Sequence, residues 1–392
     1  MAGPLHGVTV VAIEQAVAGP FATRQLADLG ARVIKIERPD GGDFSRGYDT
    51  TVKGLASWFV WLNRTKASVT LDLKRPETAA ILDRLLRGAD VFLQNLAPGA
   101  ADRLGLSAAA LRARYPRLIV CNISGYGTAG PYAGKKAYDL LIQSEVGLLS
   151  ITGTEDTPSK VGISIADISA GMYAYSGILA ALLARTRTGE GTVLDVALID
   201  TLGEWMTYAA LYTEYGGTPP PRTGATHATI APYGPYRTRD GAIVVAVQSN
   251  REWAEFCVHI LQQPALAADT RFETNGLRVQ HREALTQAID AVFSQLPSAE
   301  VLRRLDAANL ATANVNSVRE YVQHPQLTHR DCWRDIESPA GPVRVLVPPV
   351  RMEGVEPVMG AVPALGQHTR AVLEELAFDP DAIARWAESG VI

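Results

Sequence analysis

The sequence predicts an α/β protein with a parallel sheet and a second, smaller lobe. Three observations lead to this prediction. Strand-like apolar runs alternate with helix-like stretches from Val8 to Ser124, 47% of the 392 residues are apolar, and the composition changes abruptly near residue 216. A chain of this length and composition buries a substantial core and is expected to form two or three lobes.

The alternation defines each element of the first lobe. Apolar runs of four to seven residues indicate strands, and stretches with helical spacing of apolar side chains follow them. The predicted strands are 8–13, 33–36, 68–74, 91–95, 118–124 and 193–198, and the predicted helices are 21–29, 76–86, 170–187 and 199–215. Repeated strand-helix-strand units favour a parallel sheet covered by helices.

The segment GGTPPPRTG at 216–224 interrupts this pattern. Its prolines and glycines cannot continue a helix or a strand, so it is interpreted as a linker to a small lobe at 225–330. Within that lobe two strands, 235–238 and 242–247, flank a turn, and helices follow. An extended stretch from 343 and a helix at 369–376 are predicted near the end of the chain.

Charge and composition exclude several classes of protein. The net charge of −4 gives no general attraction to nucleic acid or to an anionic membrane. No apolar run approaches the ~20 residues that a membrane span requires. Because the first residues, MAGPLHGVTVVAIEQ, contain no basic leader, we expect a cytoplasmic protein.

Common catalytic motifs are absent from the sequence. It contains no HExxH string and no GxSxG elbow, and the loop after the first predicted strand, at 14–20, does not match the GxGxxG fingerprint, so neither a metal site, a serine hydrolase nor a dinucleotide enzyme is predicted. The loop at 14–20, EQAVAGP, joins a strand to a helix N-terminus, where backbone amides favour phosphate. A simple tight connection explains this loop equally well.

Asp167 is the acidic residue closest to the predicted start of the helix at 170–187. The simpler interpretation is an N-cap, whose carboxylate accepts backbone N–H groups. The second interpretation is a nucleophile. The two are compatible, because the helix dipole is expected to keep such a carboxylate ionised, and the ionised form attacks acyl carbon.

Five strings together resemble the class III CoA-transferases of the CaiB/BaiF type. They occur in order over essentially the whole chain. They are residues 7–47, VFLQNLAPGAADRLGL at 91–106, ISGYGTAGPYAGKKAYD at 123–139, ADISAGM with RTRTGEG behind it, and residues 363–392. The resemblance implies a large Rossmann-like lobe built from 1–215 and 331–392, a smaller α+β lobe, and an interlocked, ring-like homodimer.

The resemblance also implies roles for individual residues. Asp167 falls on the position of the catalytic aspartate. The positions matching coenzyme A contacts are Gln15, Ala16, Val17, Ala18, Arg38, Leu71, Leu73, Asn95, Leu96, Arg103, Lys136 and Tyr138. For the second carboxylate of a dicarboxylic acid, Arg46, Arg64 and His227 are candidates because of their chemistry, although an ordinary surface position is the simpler interpretation of each, since nothing local fixes its direction.

The implied activity is transfer of coenzyme A from an acyl-CoA, such as succinyl-CoA, to a C4–C5 dicarboxylic acid such as itaconate, mesaconate or citramalate. Thioesters of coenzyme A are then substrates, and no prosthetic group or metal is expected. Three alternatives stay open: intramolecular transfer within mesaconyl-CoA, a racemase-like isomerase, and a nonenzymatic CoA-binding protein. Related racemases carry a histidine where this chain has Tyr138, and a phenol with a pKa near 10 is a poor base at neutral pH.

Overall fold

The computed structural model describes residues 3–392, which divide into two compact units. The larger unit comprises the described chain up to Val146, Val161–Thr207 and Thr328–Ile392, and the smaller comprises Gly147–Lys160 and Tyr208–Leu327. The boundary therefore falls before the proline-rich segment 216–224. Residues 147–160 also belong to the smaller unit. The sequence does not predict this assignment, because the segment contains no run of apolar residues that would distinguish it from a loop.

A six-stranded parallel sheet forms the centre of the larger unit. Its strands are β1 (Thr9–Ile13), β2 (Arg32–Glu37), β3 (Ala67–Thr70), β4 (Val91–Gln94), β5 (Ile119–Ser124) and β6 (Val193–Ala197). They are arranged in the order β3-β2-β1-β4-β5-β6. From β1 the chain adds strands toward one edge of the sheet, as far as β3, and then crosses back to add β4 to β6 on the other side of β1. The topological switch point therefore lies between β1 and β4, and in such folds ligands bind there, at the carboxyl ends of the strands.

The helices lie between and after these strands. In chain order they are α1 (Ala18–Asp28), α2 (Ser57–Asn63), α3 (Thr78–Arg87), α4 (Ala100–Arg103), α5 (Ala108–Arg114), α6 (Asp139–Glu145), α7 (Leu148–Ile151), α8 (Ile165–Thr188), α9 (Leu198–Trp205), α10 (Thr207–Gly216), α11 (Asn250–Glu255), α12 (Asn275–Gln280), α13 (Arg282–Phe293), α14 (Ser298–Ala307), α15 (Val318–Val322), α16 (Pro325–His329), α17 (Thr369–Glu375) and α18 (Pro380–Glu388). The single helix predicted at 199–215 is thus two helices, α9 and α10.

The smaller unit contains an antiparallel sheet in the order β7-β8-β9. Its strands are β7 (Tyr233–Arg237), β8 (Ala242–Ala246) and β9 (Ala311–Asn314). Helices α11, α13 and α14 supply a core around Trp253, Phe256 and Phe293. In the larger unit, β10 (Trp333–Ile336) pairs with β11 (Val343–Leu346) in a separate antiparallel ribbon.

The parallel sheet is buried on both faces. Val10, Val11, Phe92 and Leu93 have no exposed surface, so β1 and β4 are continuous apolar runs rather than alternating ones. This is the pattern expected when helices cover both sides of a sheet. Polar residues therefore lie mainly beyond the strand ends, in the loops that contain the candidate site.

Helix α8 begins at Ile165, five residues before the predicted start. It ends at Gly189, whose φ of 76° gives the left-handed C-terminal cap that the sequence predicts. By length and composition alone this helix is long and apolar enough to cross a membrane. Its buried residues include Ala166, Ala170 and Ala174, which have no exposed surface in the larger unit.

Candidate active site

The loop after β1 is anchored by Asn95, the residue directly after β4. The Gln15 amide donates to Asn95 Oδ1 at 2.8 Å, and Asn95 Nδ2 donates to the Gln15 carbonyl at 2.9 Å. The next residue, Ala16, has a φ of 59° and donates its amide to Asp43 Oδ1 at 3.1 Å. Because a positive φ is unfavourable for alanine, these contacts hold the loop in a shape it would not adopt alone.

Two buried ion pairs lie beneath this loop. Lys66 Nζ is 2.7 Å from Glu14 Oε1, and Lys35 Nζ is 2.8 Å from Asp43 Oδ2. Burial opposes the charge of Lys35, but the neighbouring carboxylates outweigh it and raise the pKa of Lys35. For Lys66 burial prevails and lowers the pKa to about 8. Sequence reasoning missed this network, since its members are spread from residue 14 to residue 66.

Helix α8 approaches the same loop through Gly171. A Cβ atom at this position would lie 2.8 Å from the Ala18 carbonyl oxygen and 2.9 Å from the Phe21 ring, so only glycine permits the contact. Gly171 is one turn after Asp167, and side chains four residues apart share a helix face. The close approach therefore brings the first turns of α8 to the end of the 14–18 loop.

Asp167 does not cap α8, which corrects the N-cap interpretation. It is the third residue of the helix, and the N-cap is Ser164. The amide acceptor is Asp139 instead: its Oδ1 accepts the Ala166 amide at 2.8 Å and the Asp167 amide at 3.5 Å. The helix begins earlier than the apolar pattern indicates because Asp139, from another helix, satisfies these N–H groups.

The ionisation of Asp167 also differs from the expectation. Burial of the carboxyl group, followed by the negative charge of Asp139, raises its pKa to about 7. At neutral pH the carboxylate and the carboxylic acid are therefore both populated.

Tyr48 is a neighbour of Asp167 that the sequence analysis did not identify. Burial, then the charges of Asp43 and Asp167 and the nearby Tyr138 hydroxyl, raise the pKa of Tyr48 to about 12. Its phenol is thus a neutral hydrogen-bond donor at any physiological pH. Its ring meets that of Trp58 edge to face, with centroids 6.4 Å apart. The only sequence signal is its position directly after the string DFSRG.

Comparison with known proteins identifies the family of the chain. The model of CoA-transferase family III matches residues 5–369. The chain belongs to CoA-transferase family III.

Individual relatives cover nearly all of this CoA-transferase. It is 35% identical to the succinyl-CoA:glutarate CoA-transferase of Mus musculus, over 99% of this chain and 90% of the relative. It is 31% identical to the succinyl-CoA–D-citramalate CoA-transferase of Chloroflexus aurantiacus, over 95% of this chain and 94% of the relative. A solved CAIB/BAIF family protein from Brucella suis superposes with a TM-score of 0.85 at 34% identity, covering 96% and 100% of the two chains.

Most positions implied to contact coenzyme A follow the carboxyl ends of four adjacent strands of the CoA-transferase sheet. Residues 15–18 come after β1, Arg38 after β2, Leu71 and Leu73 after β3, and Asn95 and Leu96 after β4. The strand order places these ends side by side along one edge. The topology therefore brings together residues that are up to 81 positions apart in the sequence.

The side chains at this edge differ in what they can contact. Leu71 is 0% exposed and packs in the core, so only its backbone is left to contact a ligand, and its assignment stays a prediction. Leu73 and Leu96 are half-buried against the same core. Both polar atoms of the Asn95 side chain are hydrogen-bonded to the Gln15 backbone. Arg38, with 57% of its side chain exposed, keeps its guanidinium accessible.

The remaining implied contacts lie outside these strand ends. Arg103, at the end of α4, and Lys136, before α6, are exposed. Tyr138 is 63% exposed and forms the N-cap position of α6, directly before Asp139. Their accessibility is compatible with a role in binding, and each stays a prediction.

Neither arginine candidate for the distal carboxylate is free. The Arg46 guanidinium forms two 2.8 Å bonds to Glu37 and lies 3.6 Å from the centre of the Phe59 ring. Arg64 is 2% exposed and binds Asp28 through two bonds of 2.8 and 2.7 Å. We therefore correct both assignments: these guanidinium groups stabilise the fold of the larger unit.

His227, the third candidate, lies in the smaller unit. Its ring stacks on Tyr233 at 5.1 Å, and its Nδ1 accepts the Thr229 amide at 3.2 Å. Because Nδ1 is an acceptor, the proton of the neutral ring resides on Nε2. A donor at Nε2 suits a carboxylate ligand.

Among residues 3–392 no group of three or more His, Cys, Asp or Glu side chains is arranged to hold a metal ion.

Proposed function

We propose that this CoA-transferase moves coenzyme A from an acyl-CoA, with succinyl-CoA as the preferred donor, to a five-carbon dicarboxylic acid through a covalent intermediate at Asp167. The observation that supports this best is the state of Asp167. No cation in residues 3–392 forms an ion pair with its carboxylate, and its pKa is raised to about 7. An ionisable group perturbed in this way beside a strand-end loop is typical of a functional site.

The chemistry begins with attack of an Asp167 carboxylate oxygen on the thioester carbonyl carbon of the donor. The C–S bond breaks, and a mixed anhydride and CoA thiolate form. The thiolate then attacks the Asp167 carboxyl carbon, releases the donor's carboxylic acid as its anion, and leaves an aspartyl-CoA thioester. The acceptor carboxylate attacks this thioester, and the expelled thiolate attacks the acceptor acyl carbon, which regenerates Asp167.

Partial burial of Asp167 assists these steps. The anhydride and the thioester of Asp167 carry no charge on that side chain, whereas the free carboxylate does. The same burial that raises its pKa therefore favours the acylated forms over the free anion. A carboxylate of higher basicity is also a stronger nucleophile, provided that it is ionised.

Developing charge on the substrate requires donors close to Asp167. Tyr48 supplies a neutral hydroxyl there. The first amides of α1, at the end of the 14–18 loop, have no partner within the helix, as is general for helix N-termini. We assign stabilisation of the tetrahedral oxyanion to these two kinds of donor.

The acceptor class follows from the relatives' names together with the chain's donors. Glutarate and citramalate, named for the two relatives above, are five-carbon dicarboxylates. Itaconate and mesaconate share this chemistry, so we propose the class rather than one acid. Arg46 and Arg64 are engaged internally, and the role of His227 stays a prediction.

The nucleophile is tested by trapping. The enzyme is incubated with succinyl-CoA and then with hydroxylamine or borohydride, and the peptide containing Asp167 is examined by mass spectrometry. A mass change confined to Asp167 is expected, together with loss of at least about a thousandfold in kcat for Asp167→Asn, as for removal of other nucleophiles. An Asp167→Asn enzyme with the wild-type rate would refute the assignment.

Acceptor choice is tested with a panel of C4 to C6 dicarboxylic acids against succinyl-CoA, with products read by mass spectrometry. Glutarate, itaconate, mesaconate and citramalate are expected to exceed the C4 and C6 acids. Because one methylene contributes only about 1–3 kcal/mol of discrimination, the preference should be graded. Mesaconyl-CoA incubated without any acid tests the intramolecular alternative, which predicts a changed position of the thioester.

Two further alternatives are separated by label exchange. A racemase would incorporate deuterium from heavy water at the carbon next to the thioester without an acceptor acid. A nonenzymatic CoA-binding protein would bind CoA without moving labelled succinate into succinyl-CoA. We expect exchange of labelled succinate and no deuterium incorporation, since the chain has a tyrosine where the related racemases carry a histidine, and phenols are in general poor bases at neutral pH.

We also propose that the enzyme is a homodimer. Large apolar side chains remain exposed on helices α8, α9 and α10, and these are Tyr173, Leu183, Trp205, Tyr208, Leu211 and Tyr215. Exposed apolar surface of this kind marks an interface. Light scattering after size exclusion should give twice the 42.0 kDa mass of one chain, and a monomer would contradict the proposal.

A further inference from the structure

Asp139 connects two helices at the candidate site. It is the first residue of α6, yet its Oδ1 accepts the amides of Ala166 and Asp167 in α8, at 2.8 and 3.5 Å. Ser164, a residue type well suited to capping, occupies the N-cap of α8 but makes no cap hydrogen bond in the described chain. Because Ser164 is placed to cap α8, capping alone does not explain why a carboxylate from α6 binds these amides.

Gln143 holds Asp139 in this position. Its Nε2 donates to Asp139 Oδ2 at 2.6 Å, and its Oε1 accepts the Val161 amide at 3.0 Å. Gln143 is fully buried, so solvent does not replace these bonds. Both carboxylate oxygens of Asp139 are thus engaged, and the segment from Val161 to Asp167 is fixed near both of its ends by two residues one turn apart on α6.

The arrangement affects Asp167 in two ways. The amides at the start of α8 donate to Asp139, so they do not hold the Asp167 carboxylate, which is left available for attack. Asp139 also places a negative charge beside it. Tyr48 and Tyr138 are the other titratable groups at this point, and the raised pKa of Tyr48 keeps its phenol neutral at physiological pH. The remaining charged residues on elements packed against α8 are Arg24, Asp28, Glu145, Asp195, Asp200 and Glu204.

We propose that Asp139, braced by Gln143, is a positioning residue that orients the Asp167 carboxylate and sets the pH range in which it attacks. The inference rests on the proposed function of Asp167 as nucleophile. Asp139 itself forms no bond to substrate: it acts through the amides of α8 and through its charge. Its removal should change the pH profile and kcat and leave KM for acyl-CoA nearly unchanged.

Three variants separate charge from geometry. Asp139→Asn keeps an acceptor for the Ala166 amide and removes the charge. Gln143→Leu keeps the charge and removes the brace. Asp381→Asn removes an exposed carboxylate from the first turn of α18 and is the matched control. Each variant is first compared with the wild type by thermal unfolding, so that activities are measured on folded protein.

Two readouts are taken from each variant. The first is the single-turnover rate of acyl transfer to Asp167 between pH 5.5 and 8.5. The second is the titration of the Asp167 carboxyl carbon by NMR in the free enzyme, assigned with Asp167→Asn. The wild type should show a midpoint near 7 in both.

Asp139→Asn should lower both midpoints by about one pH unit or more, because a like charge within about 4–6 Å disfavours ionisation. Gln143→Leu should reduce the maximal rate by about tenfold, as misplacement of a reacting group does, with the midpoint unchanged. Asp381→Asn should match the wild type. An Asp139→Asn enzyme with wild-type midpoints would overturn the inference.

The two proposals fail differently. If no acyl group is found on Asp167 in the wild type, the nucleophile assignment is lost. The NMR titration does not depend on turnover, so a lowered midpoint in Asp139→Asn would still support the electrostatic role of Asp139. If acylation occurs but the midpoint does not move, only the role of Asp139 is lost.

Discussion

Asn95 binds the backbone of Gln15 from both sides, with its Oδ1 accepting the Gln15 amide at 2.8 Å and its Nδ2 donating to the Gln15 carbonyl at 2.9 Å. The contact spans the crevice between β1 and β4, where the strand order reverses. The resemblance suggests Asn95 as a coenzyme A contact. Its side chain also shapes the loop that is proposed to contact coenzyme A, and the direct contact stays a prediction.

Replacing Asn95 should loosen this loop. Asn95→Ala removes both bonds and should cost about 1–3 kcal/mol of unfolding free energy, since polar backbone groups lose their partners. Asn95→Asp keeps the acceptor but sets an oxygen against the Gln15 carbonyl, so it should raise KM for acyl-CoA at least as much as Asn95→Ala does. Urea unfolding and steady-state kinetics check this. Equal KM values in wild type and both variants would contradict it.

The stability of the protein should depend on pH through Asp167. Folding raises its pKa from 3.8 to about 7, so the folded state binds the proton more tightly than the unfolded state. The stability from this group is fully present below about pH 4 and is lost as pH rises through about 7. Relative to the wild type, Asp167→Asn should therefore become more stable from pH 4 to pH 7, and the difference should level off above.

Urea unfolding at several pH values and fixed protein concentration measures this difference. Asp381→Asn serves as the control for the lost charge. A difference between Asp167→Asn and wild type that stays constant from pH 4.5 to 8.5 would show that Asp167 titrates normally.

Arg64 and Arg38 should behave in opposite ways. Arg64→Met leaves Asp28 buried without its forked partner, and breaking a buried ion pair costs about 3–5 kcal/mol. Its KM for the acceptor acid should be unchanged at temperatures where the variant is folded. Arg38→Ala removes an exposed guanidinium and should raise KM for acyl-CoA with little effect on Tm. A selective rise of acceptor KM in Arg64→Met would restore Arg64 as a substrate ligand.

Tyr48 should contribute to rate through its hydroxyl. Tyr48→Phe retains the ring contact with Trp58 and removes the donor beside Asp167. A fall in kcat of about ten- to a hundredfold is expected, which is somewhat less than the fall caused by removing a rigidly held hydrogen-bond donor from an oxyanion hole. The control is Tyr115→Phe, which removes a hydroxyl bond to Asp83 and should affect Tm rather than kcat. A kcat of Tyr48→Phe equal to that of Tyr115→Phe would argue against a role for Tyr48.

Part of the site could be predicted from the sequence because it depends on local spacing. The loop at 14–20 is recognisable between a strand and a helix, and the motif ADISAGM identifies Asp167 through resemblance. Tyr48 carries no comparable signal. Arg46 and Arg64 look like free surface cations in the sequence, because their partners, Glu37 and Asp28, are identified only when the chain is folded.

The sequence by itself determined the parallel sheet, the position of its loops and the helix that carries Asp167. Side chains that share a face recur about every two residues in a strand and about every 3.6 residues in a helix, so these patterns can be recognised from neighbouring positions along the chain. Tertiary structure decided the ionisation of Asp167, which depends on burial and then on Asp139, 28 positions away. It also decided the shape of the 14–18 loop, since Asn95 is 80 positions from Gln15. Burial and Coulomb interaction depend on distance through space, which no local pattern records.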